Sequence, residues 1–133
     1  MYSKGRKVLG LRKKTEKDLD LNGLKNLLIE TLDMQKAEDI HSIDLKGTGF
    51  PADYMIIASG RSARQVVGLA EKILDKLSSF DIKEVKKEGM SAGDWVILDT
   101  GDIILHLFRP EVRLFYNIEK MWETDTTPLS TIA

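Results

Sequence analysis

Residues 94–122, DWVILDTGDIILHLFRPEVRLFYNIEKMW, decide the fold of this 133-residue chain. Trp95, Val96, Ile97 and Leu98 form a short apolar run of strand-favouring residues, and residues 103–108 form a second. Between them Asp99-Thr100-Gly101-Asp102 supplies turn chemistry, so the segment reads as a β-hairpin. Pro110 then opens a helix, because its missing N–H falls where a helix has no internal partner, and Glu111 suits the positive end of the helix dipole. The helix is expected to run to Trp122. Val112, Phe115, Ile118 and Trp122 recur along it at helical spacing and are expected to face the sheet.

Upstream of the hairpin, helix and strand signals alternate. Leu21, Leu24, Leu27, Leu28, Thr31 and Leu32 repeat on one helical face, which predicts an amphipathic helix over residues 21–35 with Asp20 as its N-cap. Residues 40–45 read as a strand with Ile43 and Leu45 on one side and Asp44 on the other. The breaker-rich loop Lys46-Gly47-Thr48-Gly49-Phe50-Pro51 follows. Residues 54–58 are almost continuously apolar, the pattern of a strand buried on both faces near the sheet centre. Ser62-Ala63-Arg64-Gln65 has the form of a capping box and must start a helix that lasts to about residue 79. Residues 82–87 are a weak, lysine-rich strand candidate suited to a sheet edge. Helices separate some strands and a tight hairpin joins others. The fold class expected is therefore α/β of the α+β type: one domain, with a mixed five-stranded sheet flanked by helices.

The chain is long enough to bury about 65–70% of its unfolded surface in a single core, and too short for two. No run approaches the ~20 apolar residues a membrane span requires, so no membrane partner is expected. Zero cysteines exclude disulfides, thiolate metal sites and thiol catalysis, and fit a cytoplasmic setting. Net charge is −1, but Lys4, Arg6, Lys7, Arg12, Lys13 and Lys14 place six positive charges in the first fourteen residues without an acid. Subtracting them leaves −7 on residues 15–133. An acidic body favours a basic partner protein, whereas the basic end could make a minor contact with rRNA phosphate. Residues 1–22 are expected to be a flexible basic extension, residues 23–122 the folded domain, and residues 123–133 a disordered tail.

Candidate chemistry is weak. Asp99 and Asp102 flank a turn and need not converge on one metal ion. Gly47-Thr48-Gly49 lacks the Gly-Lys-Ser/Thr ending of a phosphate loop. His106 shares a strand face with Ile104 and Phe108, where a lone histidine is a hydrogen-bonded sheet or interface residue sooner than a catalyst. No catalytic residue, metal site or cofactor is expected. Trp95 shares a face with Ile97 and Asp99, and composition alone leaves it open whether its ring closes the core or anchors an interface.

Residues 27–122 carry a resemblance. The matching pieces are Gln35-Lys36-Ala37-Glu38-Asp39-Ile40, Asp53-Tyr54-Met55-Ile56-Ile57-Ala58-Ser59-Gly60-Arg61-Ser62, Glu88-Gly89, and Trp95-Val96-Ile97-Leu98-Asp99-Thr100-Gly101-Asp102. They continue through His106-Leu107-Phe108 and Arg113-Leu114-Phe115-Tyr116-Asn117-Ile118-Glu119-Lys120-Met121-Trp122. In order and spacing this set resembles the ribosomal silencing factor family, also called Iojap-related. Met121 and Thr100 depart mildly from its usual pattern, and residues 1–22 extend beyond its core.

The resemblance implies a fold similar to the nucleotidyltransferase-like proteins. It also implies a translational repressor that binds the large ribosomal subunit through ribosomal protein number fourteen and sterically blocks the small subunit, mainly under nutrient limitation or in stationary phase. It favours Trp95 as an interface anchor, within a partner-binding set of Trp95, Ile97, Asp99, His106, Tyr116 and Glu119. A homodimer of the free protein is a further expectation, since an apolar docking face tends to self-associate. Two alternatives stand behind this reading: a large-subunit assembly factor that contacts rRNA through the basic end and, less favoured, a nucleotide-dependent enzyme.

Overall fold

A computed structural model describes the backbone of residues 20–116 and the side chains of residues 20–113. The elements run α1 (Leu21–Met34), β1 (Glu38–Asp44), β2 (Tyr54–Ser59), α2 (Ala63–Ser79), β3 (Lys86–Glu88), β4 (Trp95–Asp99), β5 (Ile103–Phe108) and α3 (Pro110–Tyr116). The strands form one mixed sheet in the order β1-β2-β5-β4-β3. Only β2 and β5 run parallel; the other neighbours are antiparallel. This is the expected α+β architecture. No described helix is long and apolar enough to cross a membrane.

Helix starts obey local chemistry. The Asp20 carboxylate accepts the Gly23 N–H at 2.7 Å and so caps α1. The Ser62 hydroxyl accepts the Gln65 N–H at 3.1 Å at the start of α2. The reciprocal bond is displaced by one residue: the Gln65 amide oxygen takes the N–H of Arg61, at 2.7 Å, instead of that of the cap itself.

All six residues of β2 are buried, because both sheet faces are covered there. On one face Tyr54, Ile56, Ala58, Val96, Leu98, Ile103, Leu105 and Leu107 meet the apolar stripes of α1 and α2, among them Leu28, Leu32, Val66, Ile73 and Leu77. On the other, Met55, Ile57 and Phe108 pack with Leu45 and Ala52, and half-buried Ile43, Phe50, Trp95, Ile104 and Val112 close around them. Fully burying a side chain of this size contributes roughly 1.5–3 kcal/mol, so both layers carry real stability.

Two strand expectations need correction. The edge strand lies at Lys86–Glu88, not over residues 82–87, because Ile82 leaves the sheet line to be buried under the helices. β1 starts at Glu38, and an irregularity between Glu38 and His41, with Asp39 at φ +50, precedes its regular pairing. Val112 packs towards the sheet as expected, whereas Phe115, Ile118 and Trp122 lie outside the described side chains. The expectations for residues 1–19 and 117–133 also fall outside the described residues.

The hairpin has Gly101 and Asp102 as its two central residues, with Thr100 and Ile103 closing it. Gly101 takes φ +100, the sign a two-residue hairpin demands at that position. Gly89 is more constrained: at φ +85, a Cβ there would sit 2.0 Å from the Trp95 carbonyl oxygen. Gly47 has a similar φ, +84, but open space around it. Gly89→Ala should therefore cost ~3 kcal/mol or more, combining backbone strain with a clash that backbone cannot relieve, while Gly47→Ala should cost only ~1 kcal/mol. Urea midpoints of the two variants check this, and equal losses would contradict it.

Candidate functional site

The sheet face turned away from α1 and α2 is organised by the hairpin register. Trp95 pairs with Phe108, Ile97 with His106 and Asp99 with Ile104, so all six lie on one face. Ile97 and His106 belong to a row that crosses the whole sheet: Glu88, Ile97, His106, Ile57, His41. Lys86 and Asp99 sit opposite each other at the β3 end, as a cross-strand pair of opposite charge. They border a shallow depression of about 330 Å³ shared with Glu84, Val85, Thr100 and Gly101.

Three rings form the centre. Trp95 lies 5.1 Å from Phe108 and 5.8 Å from His106 between ring centroids, and His106 stacks on Phe108 at 5.8 Å with 12° between planes. The Trp95 indole N–H donates to His106 Nδ1 at 2.9 Å. Indole nitrogen can only donate, so Nδ1 is unprotonated and the neutral ring carries its proton on Nε2. Burial keeps that ring neutral, lowering its pKa from 6.5 to about 4.

Arginines pin the surroundings. Arg109 donates to Asp94 at 2.9 Å and Glu111 at 3.1 Å, which ties the start of α3 to the start of β4. Arg113 is buried and donates to the Ser59 hydroxyl at 2.7 Å, joining α3 to the end of β2. Arg113 belongs to the stretch that carries the family resemblance, but helical periodicity gives it no buried role. A single arginine on a helix reads as solvated, and the pairing of β2 with β5 is what brings Ser59 to it.

Of the six expected partner-binding residues, Trp95, Ile97, Asp99 and His106 therefore share one face. Trp95, Ile97 and Asp99 are half-buried and His106 is buried. Tyr116 ends the described part of α3 and its side chain lies outside the described set, as does all of Glu119. Lys4, Arg6, Lys7, Arg12, Lys13 and Lys14 are likewise outside it. The Asp99 carboxylate accepts the Gly101 N–H at 2.8 Å, a turn-forming bond. Among the described residues no three His, Asp or Glu side chains converge as metal ligands would. The Gly47-Thr48-Gly49 loop closes on itself, with the Thr48 hydroxyl donating to the Leu45 carbonyl at 2.6 Å and accepting the Phe50 N–H at 3.2 Å.

Fold and face together define a single-domain α+β protein whose organised surface is an aromatic-centred sheet face. The family model described as "Ribosomal silencing factor during starvation" matches residues 19–132, a wider span than the motifs at 27–122. The Zymomonas mobilis ribosomal silencing factor is 49% identical over 110 residues, covering 83% of each chain. A crystal structure of a Chromobacterium violaceum protein superposes with a TM-score of 0.75 at 34% identity, covering 79% of this chain and 88% of that one. A mouse protein named "Mitochondrial assembly of ribosomal large subunit protein 1" is 31% identical over 100 residues, 73% of this chain and 44% of its own. The chain belongs to the ribosomal silencing factor family.

Because the folded His106 resists protonation, its contribution to stability is whole above about pH 6.5 and is lost as the pH falls through 4. The loss should approach ~3 kcal/mol. Glu88 and His41 in the same row, and Asp99 on the same face, are present in wild type and variant alike, so the comparison isolates His106. Urea denaturation at pH 7 and pH 4 should thus show a larger loss for wild type than for His106→Phe. Equal losses would remove His106 from the account.

Proposed function

We propose that this protein represses translation by docking on the large ribosomal subunit, through that subunit's ribosomal protein number fourteen, and occupying ground the small subunit needs. Repression would be strongest under nutrient limitation or in stationary phase. The observation that carries this reading is the half-buried Trp95 beside Ile97 and Asp99, on a rigid sheet in a member of the silencing family. Trp is prominent among interface hot spots, and a sheet presents it at low entropic cost. The charge of −7 over residues 15–133 suits a basic protein and disfavours neighbouring rRNA, so it helps select one orientation.

The mechanism is steric and cytoplasmic, with no reaction and no cofactor. Tyr116 and Glu119 would extend the contact from α3, and self-association of the free protein would use the same face. A second reading, assembly of the large subunit, is favoured by the name of the mouse relative. It assigns rRNA contact to the six basic residues of the first fourteen.

Two experiments separate these readings. Trp95→Ala should weaken binding to purified large subunits by ~2 kcal/mol or more and release subunit joining in proportion. Unchanged co-sedimentation of the folded variant would sink the docking assignment. Deleting residues 1–19 should leave most binding and most joining inhibition intact. A large loss on deletion, with affinity falling steeply as salt rises, would favour the assembly reading.

A further inference from the structure

We infer that His106 is a positioning residue for the docking face: its Nδ1, by accepting the Trp95 indole N–H, selects the ring orientation in which Trp95 is presented to the large subunit. The inference rests on the reading of Trp95 as a contact residue. A tryptophan at the start of a strand has several staggered choices at χ1 and two broad ones at χ2, and the ring of Trp95 is only partly buried. Beyond its packing on Phe108, both its backbone and its ring edge are held. The backbone is held where Gly89 lets the chain approach the Trp95 carbonyl. The ring is held by the 2.9 Å bond to His106, which can form only when the indole edge faces the histidine.

His106 is itself enclosed on several sides. It is stacked on Phe108, lies between Ile97 and Ile57 in the cross-sheet row, and is only 9% exposed. So little surface makes it a poor contact for a partner and a firm anchor for a neighbour. A histidine serving the sheet alone could direct its acceptor to any backbone N–H. Here the acceptor is committed to the one donor of the Trp95 side chain.

The test uses ¹⁵N-labelled full-length protein, with the Trp95 indole signal assigned by its loss in Trp95→Phe. His106→Leu removes the acceptor, His106→Phe removes it while keeping the aromatic stack, and His106→Asn returns an amide oxygen near the Nδ1 position. In whichever acceptor-less variant folds, solvent exchange of the Trp95 indole proton should rise tenfold or more, and affinity for purified large subunits should fall about tenfold. His106→Asn should recover most of both. The inference is overturned if the acceptor-less variants keep a protected indole, if they release it with affinity unchanged, or if Asn is no better than Leu on both readouts. Unchanged affinity in Trp95→Ala would instead overturn the docking reading, while the indole signal would still report whether His106 holds the ring.

Discussion

The parallel pairing of β2 with β5, six consecutive partners at the centre of the sheet, is the constraint on which the rest depends. Every residue of β2 is buried, and so are five of the six in β5. A strand pair with no side open to water needs an apolar cover on both faces. α1 and α2 supply one cover. The other comes from the loop after β1, the first turns of α3 and the aromatic set around Phe108. Parallel neighbours also cannot be joined by a tight turn. The chain between them must therefore contain a crossover, and that crossover is α2, β3 and β4. The β4–β5 hairpin then carries Trp95 onto the face opposite α1 and α2.

Much of this is legible from residues alone, because it is local. The Asp20 cap, the Ser62 cap, the doubly buried β2 and the hairpin each follow from chemistry within about five residues. The Trp95–His106 bond was within reach too. Counting outward from the Thr100–Ile103 closure sets Trp95 against Phe108 and Ile97 against His106, which makes the indole and imidazole diagonal neighbours. What the sequence could not supply is non-local. No periodicity announces that β5 lies beside β2, and the Arg113–Ser59 bond exists only because it does. β3 was misplaced for the opposite reason. Three charged residues carry no hydrophobic period, while buried Ile82 suggested a strand where the chain is only filling the core.

The Trp95–His106 pair also solves a desolvation problem. An interface anchor with a free indole N–H would have to strip water from that donor on docking and find a replacement bond, or lose roughly 1–3 kcal/mol. A donor already bonded within its own fold carries no such penalty. The indole edge can therefore enter a dry contact as though it were apolar, because its N–H is already bonded to His106 Nδ1.

The irregularity between Glu38 and His41 has a consequence of a different kind. β1 is the outermost strand on its side of the described sheet, and its pairing is broken near its start where Asp39 adopts φ +50. At the opposite border, β3 offers only Lys86, Lys87 and Glu88. Neither border gives another chain a long, flat, neutral ladder of N–H and C=O groups to extend. The described strands thus leave little main chain on which a second copy could extend the sheet.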